Sequence, residues 1–186
     1  MMGVVSNALP IMTPADFQTI AYAVSDGIAT VTLHRPERHN AWTGRMHAEY
    51  RALLAAAEAD PDVRCVVVTG SGRAFCVGGD SAALAKHAEA GRYDSGLPPE
   101  PANPGYGVRL EYDHDFAWHW GLTKPVIAAV NGACAGVGLV LACWCDLRFA
   151  AAGAKLTLAT GPLGLPPEYG MAWLLPRLVG VTRSDG

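Results

Sequence analysis

The sequence of 186 residues is long enough to bury one sizeable hydrophobic core and short for two. Its formal net charge is only −3, so the composition provides no basic surface for nucleic acid or for an anionic membrane. Five cysteines lie mostly inside apolar runs without paired metal spacing, which is typical of buried thiols in a reducing compartment and predicts a cytoplasmic protein. Residues 1–16 lack the basic start and apolar core of a secretory signal, and we expect a flexible leader there.

The first predicted elements are a β-hairpin and a helix. Residues 20–24 and 28–33 alternate between apolar and polar side chains around Asp26-Gly27, and this is the strongest short-range signal for a hairpin. From Trp42 to Ala59 apolar residues recur at helical spacing, which predicts an amphipathic helix that ends at Asp60-Pro61.

Buried strands and helices then alternate along the chain. A continuous apolar strand is expected over 65–69, and the glycine-rich loop 70–79 leads from it to a helix that begins near Asp80. Such alternation predicts an α/β core with right-handed crossovers. The further predicted elements are a surface loop over 91–107, helices over 110–122 and 171–179, and strands over 126–130 and 146–151.

The uncharged stretch Val126–Cys145 leaves a transmembrane helix open as an alternative. Its twenty residues match a membrane span in length, and small residues recur at Gly132 and Gly136 as in helix-packing motifs. Against a span, the stretch divides into a short strand, a turn at Asn131-Gly132 and a helix from Gly136 onward. We therefore expect no membrane partner.

Two glycine-rich segments, Phe75–Asp80 and Asn131–Gly138, each join a predicted strand to a helix. The first N–H groups of a helix lack internal partners, so either segment can accept an anion or an oxyanion. A tight turn with Asp80 capping a helix is the simpler interpretation of the first segment alone. A dinucleotide-binding loop is the alternative for the second, but the position of its third glycine is occupied by Leu141.

Five short motifs follow one another in a specific order: Arg35–Ala41, Gly72–Asp80, Lys124–Gly132, Cys145-Asp146 and Pro176–Gly180. Together they resemble the crotonase (enoyl-CoA hydratase/isomerase) superfamily over about residues 20–180. The resemblance implies an α/β fold, a ββα spiral of short strands with surrounding helices, forming one core domain over residues 17–180.

The resemblance also implies a missing region. In this family the last helices complete the acyl pocket and the trimer interface, and the sequence stops before them. Residues 181–186 have no helical pattern, and we expect only a tail there. The full-length family assembles as homotrimers or hexamers, so we expect this chain to associate imperfectly, with the apolar faces that those helices cover left open.

The substrate implied by the resemblance is an acyl-CoA thioester, with coenzyme A as part of the substrate and no separate cofactor or metal. Its thioester oxygen would lie between the backbone N–H groups of Gly79 and Val137. Such a donor, aimed where enolate charge develops, contributes about 2.7–4 kcal/mol. The residues expected to bind CoA are Glu37, Arg38, Arg73 and Val77, where the two arginines either pair with phosphates or remain solvated surface charges.

The sequence departs from the hydratases of this family at two positions. Val140 and Thr160 stand where those enzymes have their two glutamates, and neither side chain can act as a general acid or base. The segment Gly164–Gly170 instead resembles the isomerase branch, which makes Glu168 the candidate acid/base, tuned by burial. The alternative for Glu168 is an acid that interacts with a helix dipole. The alternative function is a noncatalytic acyl-CoA-binding protein on the same scaffold.

The aromatic segment Tyr112–Trp120 also contains two histidines. His114 and His119 are five residues apart, which a helix places on different sides, so we expect no shared metal. By resemblance this segment forms a wall of the acyl pocket. Plain core packing with solvent-facing histidines is the alternative.

Overall fold

The computed structural model describes residues 16–91, 116–158 and 160–184. The strands are β1 Ile20–Ser25, β2 Ile28–Leu33, β3 Cys65–Gly70, β4 Ala74–Cys76, β5 Val126–Val130, β6 Ala133–Ala135, β7 Leu147–Ala150 and β8 Leu156–Thr157. The helices are α1 Gly44–Ala59, α2 Ser81–Ala90, α3 Val137–Trp144, α4 Thr160–Leu163, α5 Met171–Val179 and α6 Val181–Ser184, with 3-10 turns at Pro36–Arg38 and Ala117–Gly121. The strands form one sheet in the order β1-β2-β3-β5-β7 and a second in the order β4-β6-β8.

The predicted hairpin is confirmed. Strands β1 and β2 pair antiparallel from Ile20↔Leu33 to Ser25↔Ile28. The two turn residues, Asp26 and Gly27, both have positive φ, at 53° and 78°, as a two-residue turn between twisted strands requires. From β2 onward every pairing in the larger sheet is parallel, and α1 supplies the crossover from β2 to β3.

The hydrophobic core lies between the larger sheet and α1 and extends to the smaller sheet. Strand β3 alternates between buried and half-buried positions, so its apolar run is covered more completely on one face than on the other. The buried side of α1 carries residues at the spacing that the sequence predicted. Its largest fully buried members are Met46, Tyr50, Leu53 and Leu54.

Helix α1 begins at Gly44, two residues later than the sequence predicted. Thr43 is the N-cap, and its hydroxyl accepts a hydrogen bond from Met46 N at 3.1 Å. Trp42 remains extended and bridges to Gly79. The start of α1 is thereby attached to the first glycine-rich loop.

The smaller sheet was not predicted from the sequence. Its strands β4, β6 and β8 have three, three and two residues, too few for a pattern of alternation to be read. They form because the parallel crossovers of the larger sheet bring the segments after β3, β5 and β7 together. The loop predicted over 70–79 therefore contains a strand.

Two segments differ in the structure from what the sequence predicted. The tail was expected to have no helical structure, but Val181–Ser184 forms a short helix, because it follows Gly180 closely and packs against α5. The helix expected over 110–122 is a 3-10 turn at Ala117–Gly121 in its described part. Residues 1–15, most of the loop predicted over 91–107, and His114 lie outside the described residues.

The uncharged stretch Val126–Cys145 is divided among β5, β6 and α3. Within residues 16–91, 116–158 and 160–184, no helix has the length and apolarity to cross a membrane. The three segments are instead short elements of the two sheets and their connection.

Large apolar side chains are exposed on β7 and on the two last helices. On β7, Leu147 is 51% exposed and Phe149 is 64% exposed; Trp173 on α5 and Val181 on α6 are also exposed. That the faces covered by the family's last helices are left open, and that the chain associates imperfectly, both stay predictions.

A substitution at Gly138 tests how closely α3 packs on β4. A Cβ at this position would lie 2.3 Å from Cys76 O and 2.8 Å from Cys76 Cβ. We expect Gly138→Ala to lower the free energy of unfolding in urea by about 1–3 kcal/mol, although alanine favours helix by about 1 kcal/mol. The control is Gly161→Ala, where a Cβ would have no neighbour within 4 Å. Equal stability of the two variants would show that α3 does not pack this closely on β4.

Candidate active site

A cavity of about 270 Å³ lies where the two glycine-rich loops meet. It is enclosed by the first loop and the start of α2, by residues 42–44, by the start of α3, and by the segment that leads into α5. Its described lining residues are Trp42, Thr43, Gly44, Val77, Gly78, Gly79, Ala83, Leu84, Gly136, Val137, Leu158, Thr160, Leu165, Glu168 and Tyr169.

The smaller sheet brings the two loops together. Strands β4 and β6 pair in parallel with Cys76 opposite Cys134, so the loops that follow them leave the same edge of that sheet. Gly78 and Gly136 have φ values of 107° and 50°, and a Cβ on Gly136 would lie 3.4 Å from Gly78 Cα. Glycine is needed at these positions both for the backbone conformation and for the close approach of the loops.

The bridge to Trp42 sets the direction of the Gly79 N–H group. Trp42 N donates to Gly78 O at 2.8 Å, and Asp80 N donates to Trp42 O at 2.8 Å. In this parallel bridge the bonds to Trp42 are made by Gly78 O and Asp80 N, which lie on either side of Gly79. The N–H of Gly79 therefore points away from Trp42. It is therefore available on the side of the loop that faces away from the bridge.

Val137 is the first residue of α3, after the N-cap Gly136. The first N–H groups of a helix have no intrahelical acceptor, and no side chain caps this end of α3. Gly79 and Val137, one from each glycine-rich loop, both line the same cavity.

Glu168 lines the same cavity. The expectation that its side chain is buried is wrong, because residues 164–168 form an exposed turn between α4 and α5. The carbonyl of Glu168 accepts a hydrogen bond from Met171 N at 3.0 Å, which attaches this turn to the start of α5. Glu168 is thus a lining residue of the cavity that is exposed to solvent.

Val140 and Thr160, which stand where the family's hydratases are expected to have glutamates, lie in different parts of this structure. Val140 is buried in the core at 3% exposure and is not among the described residues that line the cavity. Thr160 does line it, but its hydroxyl is no acid or base near neutral pH. Among the described lining residues, the side chain with a carboxylate is that of Glu168.

The four residues expected to bind CoA are not brought together by this cavity. Val77 lines it, whereas Glu37, Arg38 and Arg73 are exposed and absent from its described lining. Arg38 lies with its Nε 3.6 Å from Asp80 Oδ2. Its guanidinium is therefore beside the first loop and half exposed.

Asp80 connects that loop to α2 and to the hairpin. Its carboxylate accepts hydrogen bonds from Ala82 N and Ala83 N. It also forms an ion pair with the Arg35 guanidinium at 2.9 Å. Burial raises the pKa of this carboxyl, but the Arg35 and backbone contacts outweigh it and hold the pKa below its usual value. Asp80 caps α2, as the sequence predicted.

Sequence reasoning missed Trp42 and Tyr169 as cavity residues. Trp42 had been assigned to a helix, and Tyr169 carries no signal beyond its position next to Glu168. The fully buried Phe116 contacts both rings, at centroid distances of 5.6 and 5.7 Å. Phe116, Trp118 and His119 therefore pack in the core, whereas Trp120 is exposed; Phe116 lies directly behind the cavity wall.

His119 is buried at 6% exposure, so the expectation of a solvent-facing histidine is wrong for this residue. Burial, aided by His47, lowers the pKa of His119 to about 3, although a backbone contact with Trp144 acts in the opposite direction. Its Nε2 lies 3.3 Å from the Tyr50 hydroxyl. Within the described part of the chain, no group of three or more suitable side chains could hold a metal ion.

The fold and the cavity together define a class of protein. Parallel strands feed two glycine-rich loops whose residues line one pocket, and backbone N–H groups of such loops can stabilise an oxyanion. The chain belongs to the enoyl-CoA hydratase/isomerase family, whose model matches residues 23–185, and it has the crotonase fold.

Named relatives agree with this assignment. The chain is 39% identical over 165 residues to a 1,2-epoxyphenylacetyl-CoA isomerase of Escherichia coli K12 and 42% identical over 166 residues to a probable enoyl-CoA hydratase, EchA14, of Mycobacterium tuberculosis H37Rv. These matches cover 88% and 89% of this chain and 59% and 60% of the relatives. The crystal structure of an enoyl-CoA hydratase from M. tuberculosis H37Rv has a TM-score of 0.69 at 30% identity, covering 90% of this chain and 64% of that one. The chain thus spans about 60% of the length of its curated relatives.

The buried His119 predicts how stability depends on pH. Its folded pKa of about 3 lies below the unfolded value of about 6.5. Between these values the unfolded chain binds a proton that the folded chain excludes, so stability falls as the pH falls. Between pH 6.5 and 4.5 we expect this single histidine to account for about 2 kcal/mol of lost stability.

The measurement is urea unfolding of the parent and of His119→Asn at pH 6.5, 5.5 and 4.5. The variant should lose about 2 kcal/mol less than the parent over this range. The control is His34→Asn, since His34 is exposed; it should keep the pH dependence of the parent. Equal pH dependence of the parent and His119→Asn would contradict the expectation.

Proposed function

We propose that the chain binds an acyl-CoA thioester and isomerises its double bond through an enolate. The N–H groups of Gly79 and Val137 form the oxyanion hole, and Glu168 moves the proton. One observation carries the proposal: these three residues line a single cavity, whereas positions 140 and 160 hold Val140 and Thr160. A site with one carboxylate suits a proton shuttle better than two-glutamate hydration.

The proposed reaction needs no group beyond those at the cavity. The Glu168 carboxylate takes a proton from the α carbon of a β,γ-unsaturated thioester, and the electron pair delocalises onto the thioester oxygen. The two N–H groups stabilise that oxyanion in the position where charge develops, at about 2.7–4 kcal/mol each. Glu168 then returns the proton to the γ carbon, which yields the α,β-unsaturated thioester and regenerates the carboxylate.

The relatives support the substrate class. The E. coli protein is named as an isomerase of a CoA thioester, and the M. tuberculosis protein is named as a probable enoyl-CoA hydratase. Both names refer to a CoA thioester. We therefore propose that coenzyme A reaches this cavity as part of the substrate. We propose isomerisation because of the residues that line the cavity, and not because of the relatives' names.

A second candidate is a noncatalytic acyl-CoA-binding protein. The exposure of Glu168 favours it, because exposed glutamates are common on protein surfaces without any catalytic role. The two candidates agree on thioester binding and differ on turnover. They also share the proposed CoA contacts of Glu37, Arg38, Arg73 and Val77.

Cytoplasmic location and assembly are parts of the same proposal. All five cysteines are free, and burial raises the pKa of Cys134 to about 12, which fits unreactive thiols in a reducing compartment. For a full-length protein we propose the homotrimer or hexamer of the family. The exposed Leu147 and Phe149 are candidates for covered positions in such an assembly.

Replacing Glu168 with Gln tests the proton shuttle. The amide keeps the shape of the side chain but cannot act as a base, so isomerisation of a β,γ-unsaturated acyl-CoA should fall by about 100-fold to 10,000-fold. Affinity for a saturated acyl-CoA, measured by calorimetry, should change by less than about twofold. Glu89→Gln is the matched control, because Glu89 is an exposed glutamate of α2 that is absent from the described cavity lining.

Three results would contradict the proposal in different ways. An unchanged rate in Glu168→Gln would remove this carboxylate from the mechanism. A parent chain that binds thioesters without turnover would establish the noncatalytic candidate. Efficient hydration of α,β-unsaturated thioesters by the parent would overturn the inference drawn from Val140 and Thr160.

Arg73→Ala tests the proposed contact with CoA. If Arg73 pairs with a phosphate, the Kd for CoA at low salt should rise by about tenfold, and the difference should shrink at high salt. Arg64→Ala is the control, because Arg64 precedes β3 whereas Arg73 follows it, so the two lie at opposite ends of the strand. Equal affinity of the two variants would mark Arg73 as a solvated surface charge.

A further inference from the structure

The backbone around Glu168 has an unusual conformation. Tyr169 and Gly170 follow it with φ values of 54° and 75°. Positive φ is ordinary for glycine but unfavourable for a residue with a Cβ. Tyr169 keeps this conformation only if other contacts hold it.

Trp144, the last residue of α3, supplies such a contact. Its indole Nε1–H donates a hydrogen bond to Tyr169 O at 3.0 Å. The same ring packs against the next residue, since a Cβ on Gly170 would lie 3.1 Å from Trp144 Cζ2. One side chain therefore holds the Tyr169–Gly170 peptide, one residue beyond Glu168, by a hydrogen bond and by van der Waals contact.

Other rings hold the indole in place. Trp144 is 8% exposed and lies edge to face with Trp120 at a centroid distance of 5.2 Å. Trp120 contacts Trp173 of α5 at 5.3 Å, and the Arg177 guanidinium lies 3.7 Å from the centre of the Trp173 ring. The indole of Trp144 is thus confined between the 3-10 turn at Ala117–Gly121 and the turn before α5, and a rotated indole would lose these contacts.

Helix α3 connects the two parts of the cavity. It begins with Val137, which lines the cavity, and ends with Trp144, which holds the turn of Glu168. Eight residues of helix form a stiff spacer about 12 Å long. The position of the carboxylate relative to the oxyanion donors therefore depends on the hydrogen bond from Trp144.

We propose that Trp144 is a positioning residue that fixes Glu168 relative to Gly79 and Val137 through its hydrogen bond to Tyr169 O. This inference rests on the proposed function, because it concerns the acid/base of that reaction. Trp144 itself is absent from the described lining of the cavity. It acts on the geometry of the site and not on the substrate.

Trp144→Phe removes the N–H donor and keeps an aromatic ring. We expect kcat for isomerisation to fall by about tenfold or more, since small misplacements of a catalytic group have effects of this size, while KM changes by less than about twofold. Tyr22→Phe is the matched control, because it also removes one hydrogen-bond donor from an aromatic side chain, and Tyr22 lies on β1 and is absent from the described cavity lining. Its kcat should equal that of the parent. A kcat for Trp144→Phe equal to that of the parent would overturn the proposal.

A double-mutant cycle with Glu168→Gln separates the two proposals. If Trp144 acts through Glu168, adding Trp144→Phe to Glu168→Gln should leave the residual rate unchanged. If it lowers the residual rate by the same factor as in the parent, Trp144 acts independently and the positioning role is wrong. A Glu168→Gln variant as fast as the parent overturns the proposed function instead, whatever Trp144→Phe does.

A binding measurement gives a result even without turnover. In protein with ¹³C-labelled glutamate carboxyl groups, Glu168→Gln assigns the Glu168 resonance, and butyryl-CoA serves as an unreactive ligand. The ligand should shift this resonance in the parent and shift it by less than half as much in Trp144→Phe. If Trp144→Phe does not fold, Gly170→Ala disturbs the same turn and should reduce the shift likewise. An equal shift in the parent and the variant, or no shift in the parent, would refute the positioning role.

Discussion

The site depends on one constraint, the close packing of α3 and the second glycine-rich loop against β4 and the first loop. A Cβ would lie 2.0 Å from Arg73 O at Gly132 and 2.3 Å from Cys76 O at Gly138. No side chain fits in these gaps, so the backbones themselves are in contact. Because the two loops touch, residues of both line one cavity of about 270 Å³.

A second set of contacts holds the first loop from the other side. Arg35, which follows the hairpin, donates to Ala41 O at 2.5 Å and to the Asp80 carboxylate at 2.9 Å. Asn40, fully buried, donates to Ser71 O and Ala74 O. Polar side chains of the loop after the hairpin thus satisfy backbone groups of the glycine-rich loop, which would otherwise be buried without partners. The motif at 35–41 therefore supports the site without lining the cavity.

The chemistry of the cavity follows from what surrounds it. Its described walls are mostly apolar or backbone, and Glu168 is the carboxylate among them. In the proposed function, the backbone N–H groups of Gly79 and Val137 act on a developing oxyanion. Glu168 is exposed and lies on a turn that contacts of α3 and α5 hold. The residues proposed as oxyanion donors and the residue proposed as proton carrier are therefore supported by different contacts.

The sequence by itself determined the hairpin, the helix and strand alternation, the Asp80 cap and the family, because these depend on local patterns and on motifs in a fixed order. It also determined that Val140 and Thr160 supply no carboxylate, since that follows from residue identity alone. Only the tertiary structure decided the smaller sheet, whose strands of two or three residues are too short to leave a pattern. It likewise decided the exposure of Glu168, the burial of His119 and the places of Trp42 and Tyr169 at the cavity. These properties arise from contacts between segments far apart in the chain, such as Trp144 with Tyr169, and local periodicity carries no information about such contacts.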